Sequence, residues 1–301
     1  MRHRLGILFI SVLLLAVAGC ARQVGIDGDL TNGWGAMMPA TGFEPASGSC
    51  HMANFAEVGT RAAYEEIDCA LRHRTETVYV GTYEAPAADA EAPPAVGSAG
   101  AKAAYKICDD KTTTYLGGPW RNARIWIGVT HPTEAAWDGG ARWFRCEAPE
   151  LSSIEDDGGL VQRAGSLRSV LASGTSELML TCYTIALDSA GAITTMPGVS
   201  CTAKHNAEFV GIWYAKDLDY PKDDAAWAKF HTGCRALIAT FVGVPNDKDL
   251  QYRTGVVSLP GNDDVWSLGD FGVRCYLWLD GAGLMSSLKG KGPTSLPVQY
   301  K

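Results

Sequence analysis

Cys69-Ala-Leu-Arg-His73-Arg-Thr-Glu76 recurs as Cys201-Thr-Ala-Lys-His205-Asn-Ala-Glu208, and this repetition decides how the 301-residue chain is read. Each motif opens on a cysteine that follows another by 19 positions, Cys50 to Cys69 and Cys182 to Cys201. Downstream, Cys108 is followed at plus seven and plus nine by Tyr115 and Gly117, and Cys234 by Phe241 and Gly243. Trp137, Gly140 and Arg145 precede Cys146 by nine, six and one; Trp266, Gly269 and Arg274 precede Cys275 by the same offsets. Each set then closes on Ser-Leu-basic, Ser166-Leu167-Arg168 and Ser287-Leu288-Lys289. Fixed offsets over this length are the signature of an internal duplication.

The spacing predicts an α+β fold made of two tandem copies of a small disulfide-stapled domain, each a mainly antiparallel sheet with one principal helix. In the second copy Pro221 and two acidic residues lead into a helix over 225–241, with Trp227, Phe230, Leu237, Ile238 and Phe241 on its apolar face. Its counterpart starts near Ala101. Residues 76–83 and 208–214, rich in β-branched and aromatic side chains, read as strands, as do 141–147 and 272–279. Two more strands flank Asp188-Ser-Ala-Gly191. The first copy alone carries an Ala/Pro-rich insertion at about 84–104, read as a mobile loop because it has little apolar side chain to bury.

The nine cysteines leave one over after two sets of four. Cys20 ends Val17-Ala18-Gly19-Cys20, after Arg2, Arg4 and the apolar run Leu5 to Val17. A basic start, a short apolar core and small residues before a cut site make a secretory signal. The apolar run is shorter than the roughly 20 residues that span a bilayer. The last four residues resemble a bacterial lipobox, which implies cleavage before Cys20 and acylation there, including the amide-linked palmitate type. Two or more chains anchor stably, since each buried CH₂ contributes about 0.8 kcal/mol. The expected location is therefore the outer face of the cell membrane, with the lipid membrane as a partner through Cys20. The division that follows is a signal at 1–19, a tether at 20–45, copies at 46–168 and 169–292, and a tail at 293–301.

Removing Arg2 and Arg4 leaves 24 Lys+Arg against 33 Asp+Glu, a net charge of −9. Such a surface repels phosphate backbones, so no nucleic-acid partner is expected.

The second copy, from Cys182 to Gly290, resembles the septum formation-related domain of actinobacterial envelope proteins. The residues that carry the resemblance are Cys201-x-x-x-His205-x-x-Glu208, the Cys234 helix, Leu268-Gly269-Asp270 and Arg274-Cys275. The first copy resembles it over about 49–168, with Gly140-Ala141 where the second has Gly269-Asp270. The resemblance implies a cell-envelope setting linked to septation or wall growth, and no catalytic residue or cofactor.

An oxidising address favours disulfides over thiolate metal sites. Four cysteines allow three connectivities. The one expected joins first to second and third to fourth: Cys50–Cys69, Cys108–Cys146, Cys182–Cys201 and Cys234–Cys275. The first pair would close a hairpin and the second would staple helix to last strand.

His73/Glu76 and His205/Glu208 are the candidates for chemistry. On a helix such a pair shares a face and, with a thiolate, could ligate zinc. The flanking Val78, Val80, Phe209 and Val210 point to a strand, where an offset of three puts the two side chains on opposite faces. No metal is expected there. Trp137 and Trp266 are read as core anchors in preference to a stacking platform for a sugar or peptide; His131 and His231 have no counterpart in the other copy. Asp156-Asp157 and Asp223-Asp224 read as solvated acids or helix caps. Gly-x-Ser-x-Gly elbows and phosphate-binding glycine loops are absent from the sequence. The expectation is a non-enzymatic binding or scaffold module whose partner is an envelope protein or cell-wall component. The alternatives are a metal-dependent wall hydrolase using the His-x-x-Glu pairs, and a small-ligand or wall-fragment binder using a cleft between the domains.

Overall fold

Helix signals and apolar periodicity place two long helices where the sequence calls for them. Helix α1 spans Ala99–Leu116, capped by Ser98, whose Oγ accepts from the Ala101 amide. It ends at Gly117, which takes the left-handed conformation (φ 76°) that favours a residue without Cβ. A computed structural model describes residues 42–54, 64–154, 158–281 and 283–299. Before α1 come strands β1 (Ser49–His51), β2 (Glu66–Ile67) and β3 (Thr75–Thr82); after it come β4 (Gly128–Thr130), the short helix α2 (Glu134–Asp138) and β5 (Trp143–Pro149). They form one antiparallel sheet in the order β2-β1-β3-β5-β4.

The second half runs β6 (Cys182–Tyr183), β7 (Ala186–Leu187), β8 (Ile193–Thr195), β9 (Gly198–Val199), β10 (Ala207–Tyr214), helix α3 (Asp224–Val242), β11 (Gly255–Leu259), helix α4 (Asp263–Ser267) and β12 (Gly272–Trp278). Asp223 caps α3 by accepting from the Ala226 amide, and Gly243 (φ 83°) ends it. The main sheet reads β9-β6-β10-β12-β11 from one edge, the order of the first sheet element for element. Even the bulges match: the β3–β5 register shifts at Val78 and the β10–β12 register at Val210, each nine residues past the motif cysteine. The hairpin β7–β8 stands apart as a small two-stranded sheet.

The four disulfides are Cys50–Cys69, Cys108–Cys146, Cys182–Cys201 and Cys234–Cys275, the expected pairing. The second of each pair ties the long helix to the strand beside the sheet's centre, and all four of those cysteines are fully buried. Each such bond contributes roughly 2–4 kcal/mol.

Short elements fall between the readings. Strands β4 and β11 and helices α2 and α4 carry no strong periodicity of their own and were not expected. The Ala/Pro-rich segment also departs from expectation: its last residues, from Ala99, belong to α1. The indole of Trp137 donates to the carbonyl of Ala90, and Arg142 Nε donates to that of Ala88. The segment is thus a strap held from beneath. Leu171 and Leu178, beyond the expected boundary at 168, pack in the first core.

Both sheets lie within one compact unit, residues 42–301, as its two halves. Between them sits a buried ion pair. Arg121 Nε and Nη2 reach Asp270 Oδ1 at 2.8 and 2.7 Å, and Tyr105 donates to Asp270 Oδ2 at 2.9 Å. Asp109 also pairs with Arg121 at 2.7 Å, and Arg274 Nε donates to the Arg121 carbonyl. Removing one partner of a buried pair leaves an uncompensated charge, at a typical cost of about 3–5 kcal/mol. Asp270→Ala is expected to cost about 3 kcal/mol, the low end of that range, because Asp109 still faces Arg121. Urea unfolding of this variant beside Asp264→Ala, an exposed acid, measures it; equal midpoints would refute the role given to Asp270.

Candidate functional site

The repeated motif starts in a turn and runs into the sheet. Its cysteine is held by the disulfide, its histidine lies two residues ahead of β3 or β10, and its glutamate is the second residue of that strand. The main chain of His73 pairs with Arg163, and that of His205 with Leu284, in isolated bridges. Both histidines are buried, and each Nδ1 lies within 2.9 Å of a carbonyl two residues back, Leu71 or Ala203. A carbonyl only accepts, so Nδ1 carries the proton. Each Nε2 is buried and makes no hydrogen bond.

The expected separation of His and Glu to opposite faces is not what the fold does. His205 Nε2 lies 3.7 Å from Glu208 Oε1. Strand alternation does not govern that pair, because His205 sits in an isolated bridge to Leu284 and a bend at Asn206 separates it from β10.

Both glutamates are fully buried, and both receive the Ser-Leu element that ends each half. Glu76 accepts from the Leu167 amide at 2.6 Å, from Ser166 Oγ at 2.5 Å, and from the Tyr115 hydroxyl. Glu208 accepts from the Leu288 amide at 2.8 Å and from Ser287 Oγ at 2.5 Å. The third donor is missing in the second half because Phe241 stands where the first has Tyr115. Burial and the neighbouring Glu76 push the Tyr115 phenol above its usual range. The recurring sequence Cys-x-x-x-His-x-x-Glu…Ser-Leu is therefore one device, a clasp that folds the closing segment back onto the central strand.

Cys182, His205 and Glu208 place ligand-type atoms within 4.8 Å of one another, as do Cys50, Cys69 and Glu76. The sulfurs are disulfide sulfurs, without the thiolate charge a divalent metal requires. The donor set does not fit zinc in this oxidised form.

Trp137 and Trp266 are 1% and 6% exposed, so they serve as anchors and not as platforms. Each indole donates to the carbonyl of the loop leading into its half's long helix, Ala90 and Leu218. Cys20, with the signal and most of the tether, lies outside the described residues; so does the Asp156-Asp157 pair. Among the described residues no helix is long and apolar enough to cross a membrane.

The halves differ most at a cluster that the sequence reading missed. In the first half His51, Thr77, Arg145 and Glu147 are fully buried together. Thr77 Oγ1 donates to Glu147 at 2.8 Å, His51 Nε2 meets Thr77 Oγ1 at 2.7 Å, and Arg145 Nε lies 2.8 Å from Glu147. The Tyr64 ring covers Arg145 at 4.5 Å. At the same offsets from the cysteines the second half has Tyr183, Phe209, Tyr276 and Met196 in place of His51, Thr77, Glu147 and Tyr64. There the rings pack edge to face, Tyr276 lying 5.3 and 5.5 Å from Tyr183 and Phe209. Comparing the residue after each first and fourth cysteine would have exposed the difference: His51 against Tyr183, Glu147 against Tyr276.

The fold and its clasp define a disulfide-stapled α+β protein with two equivalent sheets. The chain belongs to the septum formation family, whose sequence model matches residues 47–275, a single span through both halves. None of the curated proteins and none of the solved structures matches it.

Two predictions arise here. Glu76→Ala and Glu208→Ala strand buried main-chain amides, at about 1–3 kcal/mol for each unpaired group. Each is expected to lower the unfolding free energy by about 2–4 kcal/mol and to open the closing segment to proteolysis; unchanged proteolysis would remove the clasp. The second concerns pH. Burial, opposed by Arg145 and Thr77, pushes Glu147 up to about 6, so its contribution is complete below 4.5 and is lost as pH rises through 6. Burial, then Arg145, pulls His51 down to about 4, so its contribution is complete above 6.5 and is lost as pH falls towards 4. The two slopes oppose between about 4.5 and 6. Glu147→Gln removes one of them, and its stability is expected to fall more steeply than wild type on acidification from 6.5 to 4. Urea titrations at half-unit pH steps provide the measurement.

Proposed function

We propose that this chain is a lipoprotein tethered at Cys20 to the outer face of the cell membrane, acting without catalysis as a binding or scaffold module of the envelope. Family membership supports a septation-related envelope role. The anchor is supported by the N-terminal pattern and by cysteine parity: eight of the nine cysteines pair within the two halves. The halves are read as tandem copies, on their shared strand order, disulfides, bulges and clasp. Each copy begins from the same scaffold, so differences between them mark where function diverged.

One observation carries the non-catalytic reading. The repeated His-x-x-Glu motif, the best candidate for chemistry, has its carboxylates bound to the closing main chain and its cysteines oxidised. A metal-dependent hydrolase would need those groups free.

Growth with a labelled palmitate precursor is expected to label the wild-type protein and not Cys20→Ser. Protease added to intact spheroplasts should then reach the labelled chain. An unlabelled wild-type protein would overturn the anchor. Stoichiometric zinc in the purified, oxidised protein, lost in His205→Ala together with a wall-cleaving activity, would overturn the non-enzymatic reading.

A further inference from the structure

Each half has a groove between the start of its long helix and its edge strand, and the two grooves are lined from equivalent positions. Ala101 and Trp227 both precede the helix cysteine by seven, and Tyr105 and His231 by three. Val129 and Ser258 both lie across from the cysteine of the neighbouring strand, Cys146 and Cys275. In the first half Val265 and Leu268, on and just past α4 of the second half, line the groove, whose cavity is the smaller of the two at about 380 Å³. The Tyr105 hydroxyl is spent on Asp270.

In the second half the corresponding cavity is about 780 Å³, within the roughly 300–1,000 Å³ of small-ligand sites. Its far wall is the β7–β8 hairpin, which presents Leu187 and Ile193 partly exposed. The three equivalent positions have changed from Ala, Tyr and Val to Trp, His and Ser. His231 Nδ1 and Ser258 Oγ are hydrogen-bonded at 3.0 Å, and the Trp227 ring lies almost parallel to the imidazole, 6.0 Å between centroids. Trp278 brings a second indole, whose Nε1 is buried and makes no hydrogen bond. Asp224 adds a carboxylate at the rim, and no lysine or arginine lines the cavity.

We propose that this groove of the second half binds a neutral saccharide, resting on the envelope binding role above and naming its ligand class. Flat rings accept the apolar C–H face of a pyranose, while imidazole, hydroxyl and carboxylate exchange hydrogen bonds with its hydroxyls. Burial and nearby Arg235 lower the pKa of His231, so its ring stays neutral at neutral pH and can both donate and accept. Asp224 and the net charge of −7 disfavour phosphorylated or uronic sugars. A polypeptide suits the groove less well, because the apolar positions that receive α4 in the first half are polar or aromatic here.

The test titrates the purified full chain with chitotetraose, maltotetraose and mannotetraose, followed by saturation-transfer NMR and tryptophan fluorescence. At least one is expected to bind saturably, at least tenfold more weakly in Trp227→Ala and several-fold more weakly in Asp224→Asn. Asp224 is exposed, so that variant keeps the fold even if the loss of Trp227 disturbs packing; Asp263→Asn, a matched acid on α4, should bind as wild type. The proposal is overturned if none of the three binds, if Asp224→Asn and Trp227→Ala bind as tightly as wild type, or if a Val-Lys hexapeptide occupies the groove in their place. Labelling at Cys20 is read separately. Lost sugar binding with intact labelling removes the saccharide alone, and the reverse removes the anchor alone.

Discussion

A carboxylate buried at the head of the central strand holds each half of this protein closed. Glu76 and Glu208 each take a main-chain amide and a serine hydroxyl from a segment some 80 to 90 residues further on. A charged acceptor makes a stronger hydrogen bond than a neutral one, and leaving it unpaired in the interior is correspondingly costly. The leucine of the closing Ser-Leu adds its own burial, Leu167 and Leu288 being almost fully enclosed.

The same physics explains where the halves differ. Glutamate, histidine and cysteines of the clasp answer to one another and recur together. The cluster around His51 and Glu147 answers to no such partner in the closing segment, and the second half fills the space with rings. A buried ionic network gains little stability over well-packed apolar side chains, and it depends on pH where the rings do not. Asp270 shows the opposite difference, since its counterpart Ala141 has no charge to offer and the ion pair that joins the halves has no equivalent at that position.

Much of this was legible in the sequence. The favoured one of three cysteine pairings, the two long helices and the central strands were readable, because each rests on a local pattern that long-range packing reinforces. His73, Glu76, His205 and Glu208 were visible as a recurring unit, but their purpose was not. The acceptor and its donors are far apart in sequence, and strand alternation does not extend to a histidine that a bend separates from the strand. Strands β4 and β11, only three and five residues long, are made by pairing with β5 and β12 and not by their own composition. Trp227 and His231 stand out in the sequence only singly, as part of an apolar helix face and as a histidine without a counterpart, and their grouping with Ser258 does not show there. Within one copy they look like a helix's apolar face and an ordinary edge strand, and only comparison with Ala101, Tyr105 and Val129 makes them conspicuous.

That comparison also bears on why two sheets share one chain. A groove between helix and edge strand leaves backbone and apolar side chains for something to cover. In the first half the second half supplies the cover, and Asp270 locks it with charge. The equivalent groove of the second half receives no segment of the first half among its lining residues. Here the β7–β8 hairpin forms one wall and stops short of filling the space. Where the first half offers Ala101, Tyr105 and Val129 at this groove, the second has Trp227, His231 and Ser258. The contact that joins the halves thus narrows one groove and leaves the equivalent one wider.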